Sequence, residues 1–299
     1  MKTKSALVIP LLRQVDDWLR QCLASAVAQT VPCEVIVVTS PRTPESNREV
    51  LREFQARHAQ LKVIEREPQM RFAAALNLGI RAARAERVGF LLSDDWLGAS
   101  AVEKSEALEA DIVSSQSRML AADGVTVLPH LERLRTEAEY QRLADDSERA
   151  NYLGHFLLFR REALLAIGGV DETIGDSPGV DDFDMLWCLL ERGASVAILE
   201  EQLYHYRDHP GERLTTRRKE DMVATFHRIL DKHGVAGSRR DEMFREHAEW
   251  FGKSMTEIYE RRQFSHLPWL LRVLQRPYRA MVPLSFRHWF HDAILRRLL

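Results

Sequence analysis

The sequence predicts an α/β protein with a mostly parallel sheet flanked by helices. Over the first hundred residues, short apolar runs rich in valine and isoleucine alternate with segments in which apolar residues recur at helical spacing. That alternation is typical of parallel strands joined by helices. The chain has 299 residues, 45% of them hydrophobic, which is enough for one large domain or a domain with an extension. An acidic pair, Asp94 and Asp95, also ends one apolar run, where such sheets bind ligands.

Four strands and three helices are predicted before residue 93. The first run, "SALVIP", is apolar and branched and stops at a proline, as buried parallel strands do. In the next segment Leu19, Cys22 and Leu23 share one helical face, and acidic residues occupy the first turn. The predicted strands are 5–10, 34–40, 61–65 and 87–92, and the predicted helices are 16–29, 43–59 and 70–85.

For the second half of the chain, the sequence predicts strands and helices that alternate less regularly than in the first hundred residues, followed by helices alone. Two glycines, Gly168 and Gly169, are expected to end a helix. We expect a domain over 1–218 and a helical extension over 219–299. The further predicted segments are a strand at 110–116, a hairpin-like return at 123–129, a loop or exposed helix at 130–150, a strand running into a helix at 155–172, a helix at 180–193 and a strand at 195–209.

Composition excludes several classes of protein. The net charge of −2 does not suit a nucleic-acid binder. Three widely spaced cysteines without a CxxC pair argue against a disulfide framework or a cysteine zinc site. The N-terminus shows no cleavable signal pattern, and no run approaches the length of a membrane span. We therefore expect a cytoplasmic protein.

The stretch "VGFLLSDDW" places Asp94 and Asp95 at the end of the fourth predicted strand. Two carboxylates there can bind a divalent cation through oxygen, and the cation can neutralise a diphosphate. The alternative is that they cap the following helix, although one aspartate suffices for a cap. Residues alone leave both interpretations open.

Two further clusters carry groups suited to catalysis. "DDFD" (181–184) opens a predicted helix, where acids are favoured by the helix dipole or where one of them acts as a general base. In "YHYRDHPG", His205 and His209 could bind metal or diphosphate and Arg207 could bind phosphate. The alternative for these loop residues is simple solvation.

Taken in order, seven segments of residues 5–216 resemble the family 2 glycosyltransferases of the GT-A fold. The matching segments are "ALVIP" (6–10), "WLRQCLASAVAQT" (18–30), "CEVIVV" (33–38), "AAALNLGIRAARAERVGFLLSDDW" (73–96), "FLLFRREALLAIGGVDE" (156–172), "DDFDMLWCLLERG" (181–193) and "YHYRDHPGERLT" (204–215). This resemblance implies an inverting transfer of a sugar from a nucleotide-sugar donor to a glycan or lipid-linked acceptor.

The resemblance also implies residue roles. Asp182 matches the catalytic base, and Asp95 matches the ligand of a Mn²⁺ or Mg²⁺ ion, with His209 near that metal. The residues that match the nucleotide-sugar pocket are Pro10, Thr39, Arg71, Asp94 and Asp181.

The chain departs from the family pattern in its donor pocket. Thr39 and Ser40 stand where an aspartate usually reads uracil, Leu92 replaces the first acid of "FLDxDD", and Leu76 replaces an arginine. The alternative function is therefore a degenerate transferase that binds without turnover. A nucleotidyltransferase fits less well, because "IPLLRQVDDW" lacks a glycine-rich basic loop.

Residues 261–299 hold eight arginines and one carboxylate, Asp292. Within 284–299 aromatic and aliphatic residues follow helical spacing, with Arg287 and the histidines largely opposite. Such a basic amphipathic helix suits an anionic membrane surface and would place the protein at the inner face of the membrane. The alternative is that it packs on the catalytic domain or on another subunit of a homo-oligomer.

Overall fold

The computed structural model describes residues 3–68, 71–174, 181–209 and 219–247, and residue 281. Its strands are β1 Ser5–Pro10, β2 Cys33–Thr39, β3 Leu61–Glu65, β4 Arg87–Phe90, β5 Trp96–Leu97, β6 Ile112–Ala121, β7 Leu157–Arg160 and β8 Val196–Asp208. Its α-helices are α1 Asp16–Val27, α2 Glu45–Arg57, α3 Phe72–Ala82, α4 Ala101–Glu106, α5 Glu137–Tyr140, α6 Asp146–Tyr152, α7 Arg161–Ala166, α8 Asp181–Glu191, α9 Lys219–Lys232 and α10 Gly237–His247.

The described strands form one mixed sheet in the order β3-β2-β1-β4-β7-β6-β8-β5. β1 pairs in parallel with β2 and β4, and β2 pairs in parallel with β3. β7 pairs antiparallel with β4 and β6, and β5 pairs antiparallel with β8. β1 is buried along its whole length, because helices such as α3 cover it. This architecture confirms the predicted α/β fold.

A close contact between α3 and β1 fixes the distance between the helix and the sheet. A Cβ atom on Gly79 would lie 2.3 Å from Cγ1 of Val8, so only glycine allows this approach. Because β1, β2 and β4 run in parallel, their carboxyl ends meet at one edge of the sheet. That edge is where ligands bind in open α/β sheets.

The predicted hairpin-like return at 123–129 is confirmed: after a turn held by Asp123, the chain folds back on the end of β6. The Ala121 N–H donates to the Thr126 carbonyl and the Leu128 N–H donates to the Met119 carbonyl, both at 2.8 Å, and an antiparallel bridge pairs Leu120 with Val127. Two other segments differ from the sequence-based expectation. Residues 130–150 include α5 and the start of α6, which bury side chains against the protein. The two-residue strand β5 was not predicted, because it is too short to show a period.

The chain divides into two compact units. The first comprises Met1–Arg118 and Arg133–Arg207, and the second comprises Met119–Glu132 and Asp208–Leu299. The second unit contains α9 and α10, and the rings of Phe226 in α9 and Phe244 in α10 lie 6.3 Å apart. The boundary at residue 218 stays a prediction, and the basic segment 261–299 lies outside the described residues apart from residue 281. Nowhere in the described ranges is there a helix with the length and apolarity that crossing a membrane requires.

Candidate active site

The acidic pair lies in a turn that directly follows β4. The Asp95 N–H donates to the carbonyl of Leu92 at 3.1 Å, and the Asp95 side chain is only 2% exposed while Asp94 is half-buried. The pair does not cap a helix, since the next helix, α4, begins at Ala101 and is preceded by Ser100. Of the two sequence-based interpretations, helix capping is therefore wrong.

Both oxygens of Asp95 accept hydrogen bonds from β8. The Tyr204 hydroxyl donates to Oδ2 and the Arg207 backbone N–H donates to Oδ1, each at 2.7 Å. Burial, reinforced by the Asp95 charge, raises the pKa of Tyr204 well above its usual value, so the hydroxyl keeps its proton and remains a donor. The pairing of Leu97 with Tyr204 between β5 and β8 brings these groups together. The Asp95 carboxylate is thereby fixed in place.

The Arg207 guanidinium is held between two tryptophan rings. Its Cζ lies 4.8 Å from the ring centroid of Trp18 and 4.9 Å from that of Trp96, and such cation–π contacts are stabilising when desolvated. Its Nε donates to the Asp94 carbonyl at 3.0 Å, and Nη2 donates to Gln21 at 2.5 Å. With 2% exposure, Arg207 fixes the turn of the acidic pair.

His205, the residue that pairs with Trp96 across β5 and β8, has a ring stacked on that indole. The two centroids lie 5.0 Å apart with an interplanar angle of 4°. Burial lowers the pKa of His205, so the ring is neutral near pH 7. It adds to the aromatic packing around the acidic pair.

Asp182, the predicted catalytic base, lies in the first turn of α8. Its side chain is 39% exposed, whereas Asp184 is buried at 1% exposure, so the two point to different surroundings. One carboxylate oxygen accepts the Phe183 N–H at 2.8 Å, and the other lies 3.8 Å from Nε2 of His155. Asp182 is therefore an accessible carboxylate beside an imidazole.

His155 lies between Asp182 and the residues that hold the acidic pair. Burial lowers the pKa of His155, while the Asp182 carboxylate acts in the opposite direction, with burial the larger effect. The imidazole is therefore largely neutral near pH 7. Its ring packs on Tyr204 with centroids 5.4 Å apart, and Tyr204 in turn bonds Asp95.

A small, open pocket of about 50 Å³ lies beside Asp182. It is bounded by α6, by the chain leading into β7 and by the first turns of α8. The residues that line it are Ala150, Asn151, Leu153, Gly154, His155, Leu157, Asp182, Phe183 and Leu186. A pocket beside an accessible carboxylate can accept a hydroxyl-bearing substrate.

The structure places the other predicted site residues in different surroundings. Pro10 and Thr39 end β1 and β2 at the same sheet edge, and the 1%-exposed Thr39 donates its hydroxyl to the Ile64 carbonyl at 3.4 Å. Arg71 is exposed just before α3. The Asp181 side chain lies outside the described residues, and His209 belongs to the second unit. The roles of these residues stay predictions.

The sequence did not reveal Tyr204, His155 and the two tryptophans as parts of the site. Tyr204 and Asp95 are 109 positions apart, so no local spacing joins them. The only signal for Tyr204 was its place in "YHYRDHPG", beside residues already under consideration. His155 carries no such signal.

Comparison with known proteins places the site in a family. The sequence model of "Glycosyl transferase family 2" matches residues 6–168. The chain is 29% identical over 206 residues to the O-antigen biosynthesis protein RfbC of Myxococcus xanthus, covering 68% of this chain and only 16% of that protein. It is 27% identical over 258 residues to the uncharacterized glycosyltransferase EpsJ of Bacillus subtilis, covering 80% of this chain and 73% of EpsJ.

Solved structures support the fold. TarS 1–349 of S. aureus, in complex with UDP-GlcNAc, superposes with a TM-score of 0.61 at 16% identity, covering 96% of this chain and 79% of that one. The mannosyltransferase PcManGT of Pyrobaculum calidifontis, in complex with GDP-Man and Mn²⁺, gives 0.58 at 16%, covering 97% and 83%. These likenesses confirm the expected GT-A architecture, and the match over more than half of the sequence shows that the chain belongs to glycosyl transferase family 2.

Proposed function

We propose that this protein transfers a sugar, with inversion, from a nucleotide-sugar donor to a hydroxyl of a glycan or lipid-linked acceptor. The observation that carries the proposal is the pairing of an accessible carboxylate, Asp182, with an open pocket, next to a fixed acidic pair. The names of the relatives agree: RfbC is an O-antigen biosynthesis protein, and TarS binds UDP-GlcNAc.

Asp94 and Asp95 are the residues that would hold a divalent cation. Carboxylate oxygens are the ligands that Mg²⁺ and Mn²⁺ prefer, and the donors on Asp95 orient it as outer-shell partners orient metal ligands. A bound cation would neutralise the departing nucleoside diphosphate. PcManGT, which has the same fold, binds GDP-Man and Mn²⁺.

Asp182 would take the proton of the acceptor hydroxyl as that oxygen attacks the anomeric carbon. The attacking oxygen forms its bond to carbon while the bond to the diphosphate breaks, so a single displacement inverts the configuration. The carboxylate has to be ionised, and the adjacent His155 can receive a hydrogen bond or stabilise the protonated acid once the proton has moved.

The proposal predicts that Asp182→Asn slows sugar transfer by about 10²–10⁴-fold, the usual contribution of a general base. The amide keeps the size of the side chain, so donor binding should stay near normal. Transfer is measured as nucleoside diphosphate released in the presence of acceptor, and donor affinity is measured by thermal shift.

The matched control is Glu191→Gln, an exposed carboxylate at the other end of α8, which should transfer at the normal rate. Full activity of Asp182→Asn would show that another group is the general base.

A screen of nucleoside diphosphates with and without Mn²⁺ identifies the nucleobase of the donor. Selective binding with neither transfer nor donor hydrolysis would instead indicate the alternative function, a binding protein without turnover.

A further inference from the structure

Arg135 is a partly buried cation that the protein holds firmly in place. Its backbone N–H donates to Oε1 of Gln116 and its carbonyl accepts from Nε2 of the same side chain, both at 2.9 Å. Gln116 is 1% exposed. These paired bonds clamp the backbone of Arg135, so the direction of its side chain is set by the core.

Gly154 provides the space that the guanidinium occupies. A Cβ atom at this position would lie 2.4 Å from Nη1 of Arg135, so a larger residue would displace the cation. Gly154 is itself fixed, because its N–H and its carbonyl both bond to the hydroxyl of buried Ser114, at 3.0 and 2.8 Å. The cation therefore lies in a space that the backbone provides for it.

The charge of Arg135 lacks a protein counter-charge among the residues that the structure describes. Its Nη1 donates to the Arg133 carbonyl at 3.2 Å, while its buried Nε has no hydrogen-bond partner. Burial lowers the pKa of Arg135 to about 10, and the Arg133 charge acts in the same direction, so the side chain stays cationic at neutral pH. A desolvated cation is costly unless an anion pairs with it.

We propose that Arg135 binds an anionic group, a phosphate or a carboxylate, carried by the acceptor. This inference rests on the proposed function. Gly154, which the guanidinium covers, lines the pocket of Asp182 together with His155. Arginine suits this role because its planar fork of N–H donors matches phosphate and carboxylate oxygens.

The position of Arg135 indicates that the anionic group it binds belongs to the acceptor rather than to the donor diphosphate. In a single displacement the attacking oxygen and the departing diphosphate lie on opposite faces of the anomeric carbon. A group beside the base is therefore on the side of the acceptor. The positive charge of Arg135 reaches this side, since it lowers the pKa of His155, which lies 3.8 Å from Asp182.

The test compares sn-glycerol 3-phosphate, glycerate and glycerol as probes by ligand-observed NMR titration. The wild-type protein should bind the phosphate or the carboxylate probe, and bind glycerol far more weakly. Arg135→Gln should weaken binding of the anionic probe at least about tenfold, as loss of a charge-assisted hydrogen bond predicts. Arg135→Lys should retain part of it. Arg142→Gln, which changes an exposed arginine of the same segment, should bind like the wild type.

Binding of UDP with Mn²⁺ separates the two sources of phosphate. UDP binding should be unchanged in Arg135→Gln. If this variant loses as much affinity for UDP as for the anionic probe, Arg135 belongs to the donor site and the inference is overturned. Equal binding of glycerol and its phosphate by the wild type would also overturn it. If transfer occurs without Arg135-dependent anion binding, the inference fails and the proposed function stands. If anion binding depends on Arg135 but no transfer occurs, the proposed function fails and the anion site stands.

Discussion

Tyr204 touches both parts of the candidate site. Its hydroxyl donates to Asp95 at 2.7 Å, and its ring packs on His155, the neighbour of Asp182. The side chain is fully buried. A displacement of this one ring would therefore move the acidic pair and Asp182 relative to each other.

We predict that Tyr204→Phe lowers the free energy of unfolding by about 1–3 kcal/mol, because it removes a buried hydrogen bond to the Asp95 carboxylate. Mn²⁺-dependent binding of nucleoside diphosphate should weaken as well, since Asp95 loses the bond that orients it. Urea unfolding measures the first effect, and thermal shift with nucleotide measures the second.

Tyr140→Phe is the control, since Tyr140 is also buried but lies in α5 and has no bond to Asp95. It should leave nucleotide binding unchanged. If Tyr204→Phe binds nucleotide in Mn²⁺ as well as the wild type does, Asp95 does not depend on this bond and the proposed role of Tyr204 is wrong.

For individual residues, the sequence predicts which acids belong to the candidate site but not which residues form hydrogen bonds to them. Asp94 and Asp95 could be selected because two adjacent acids at a strand end exceed what a helix cap needs, whereas Asp182 was selected by the resemblance to the family. The contacts of Asp95 join residues more than a hundred positions apart. Such contacts follow from the pairing of β5 with β8, which no short-range pattern specifies.

Among the elements, α3 and β1 show how closely a helix can approach the sheet. α3 is rich in alanine, and Gly79 faces Val8 of β1. In an exposed helix, replacing glycine by alanine is stabilising by about 1 kcal/mol. Here the added methyl group would clash with Val8, so the steric cost opposes the gain in helix propensity.

We therefore predict that Gly79→Ala destabilises the protein by about 1–3 kcal/mol, as overpacked cores are. The measurement is the free energy of unfolding in urea. The double variant Gly79→Ala with Val8→Ala gives the control, because removing the valine methyls makes room for the new one. The two changes should together cost less than the sum of their separate effects. Additive losses would show that the contact does not limit this packing.

Strands and helices were predicted correctly where the segment was long enough for the spacing of its apolar residues to be recognised. β1 and β3 have the predicted bounds, and α1 and α8 differ by one or two residues at their ends. The hairpin-like return at 123–129 is also confirmed, since its backbone exchanges hydrogen bonds with Met119 and Ala121 at the end of β6. The strand β5 was not predicted, because two residues are too few to show a period.

At the scale of the whole molecule, charge is unevenly distributed along the chain. The net charge is −2, yet residues 261–299 hold eight arginines and a single aspartate. The rest of the chain is correspondingly acidic. An acidic body with a basic, aromatic end is the pattern expected of a protein that binds an anionic surface through that end.

We predict that the full-length protein sediments with vesicles that contain anionic lipid at low salt, and that a variant lacking residues 261–299 does not. The attraction is electrostatic, so raising the salt concentration should also release the full-length protein. Vesicles of neutral lipid are the control. Absence of binding by the full-length chain would favour packing of this segment on the protein itself or on a second copy.

The contact of Arg207 with Gln21 joins residues 186 positions apart, and the tryptophan rings around Arg207 come from α1 and from β5. During synthesis, the acidic pair leaves the ribosome long before β8 does. Until Tyr204 and Arg207 follow, Asp95 lacks the two hydrogen bonds that β8 donates to it. The residues matched by the family model end at 168, so a fragment cut there would contain the acidic pair without the groups that hold it. The surroundings of Asp95 are thus assembled late in synthesis, after β8 has been added to the chain.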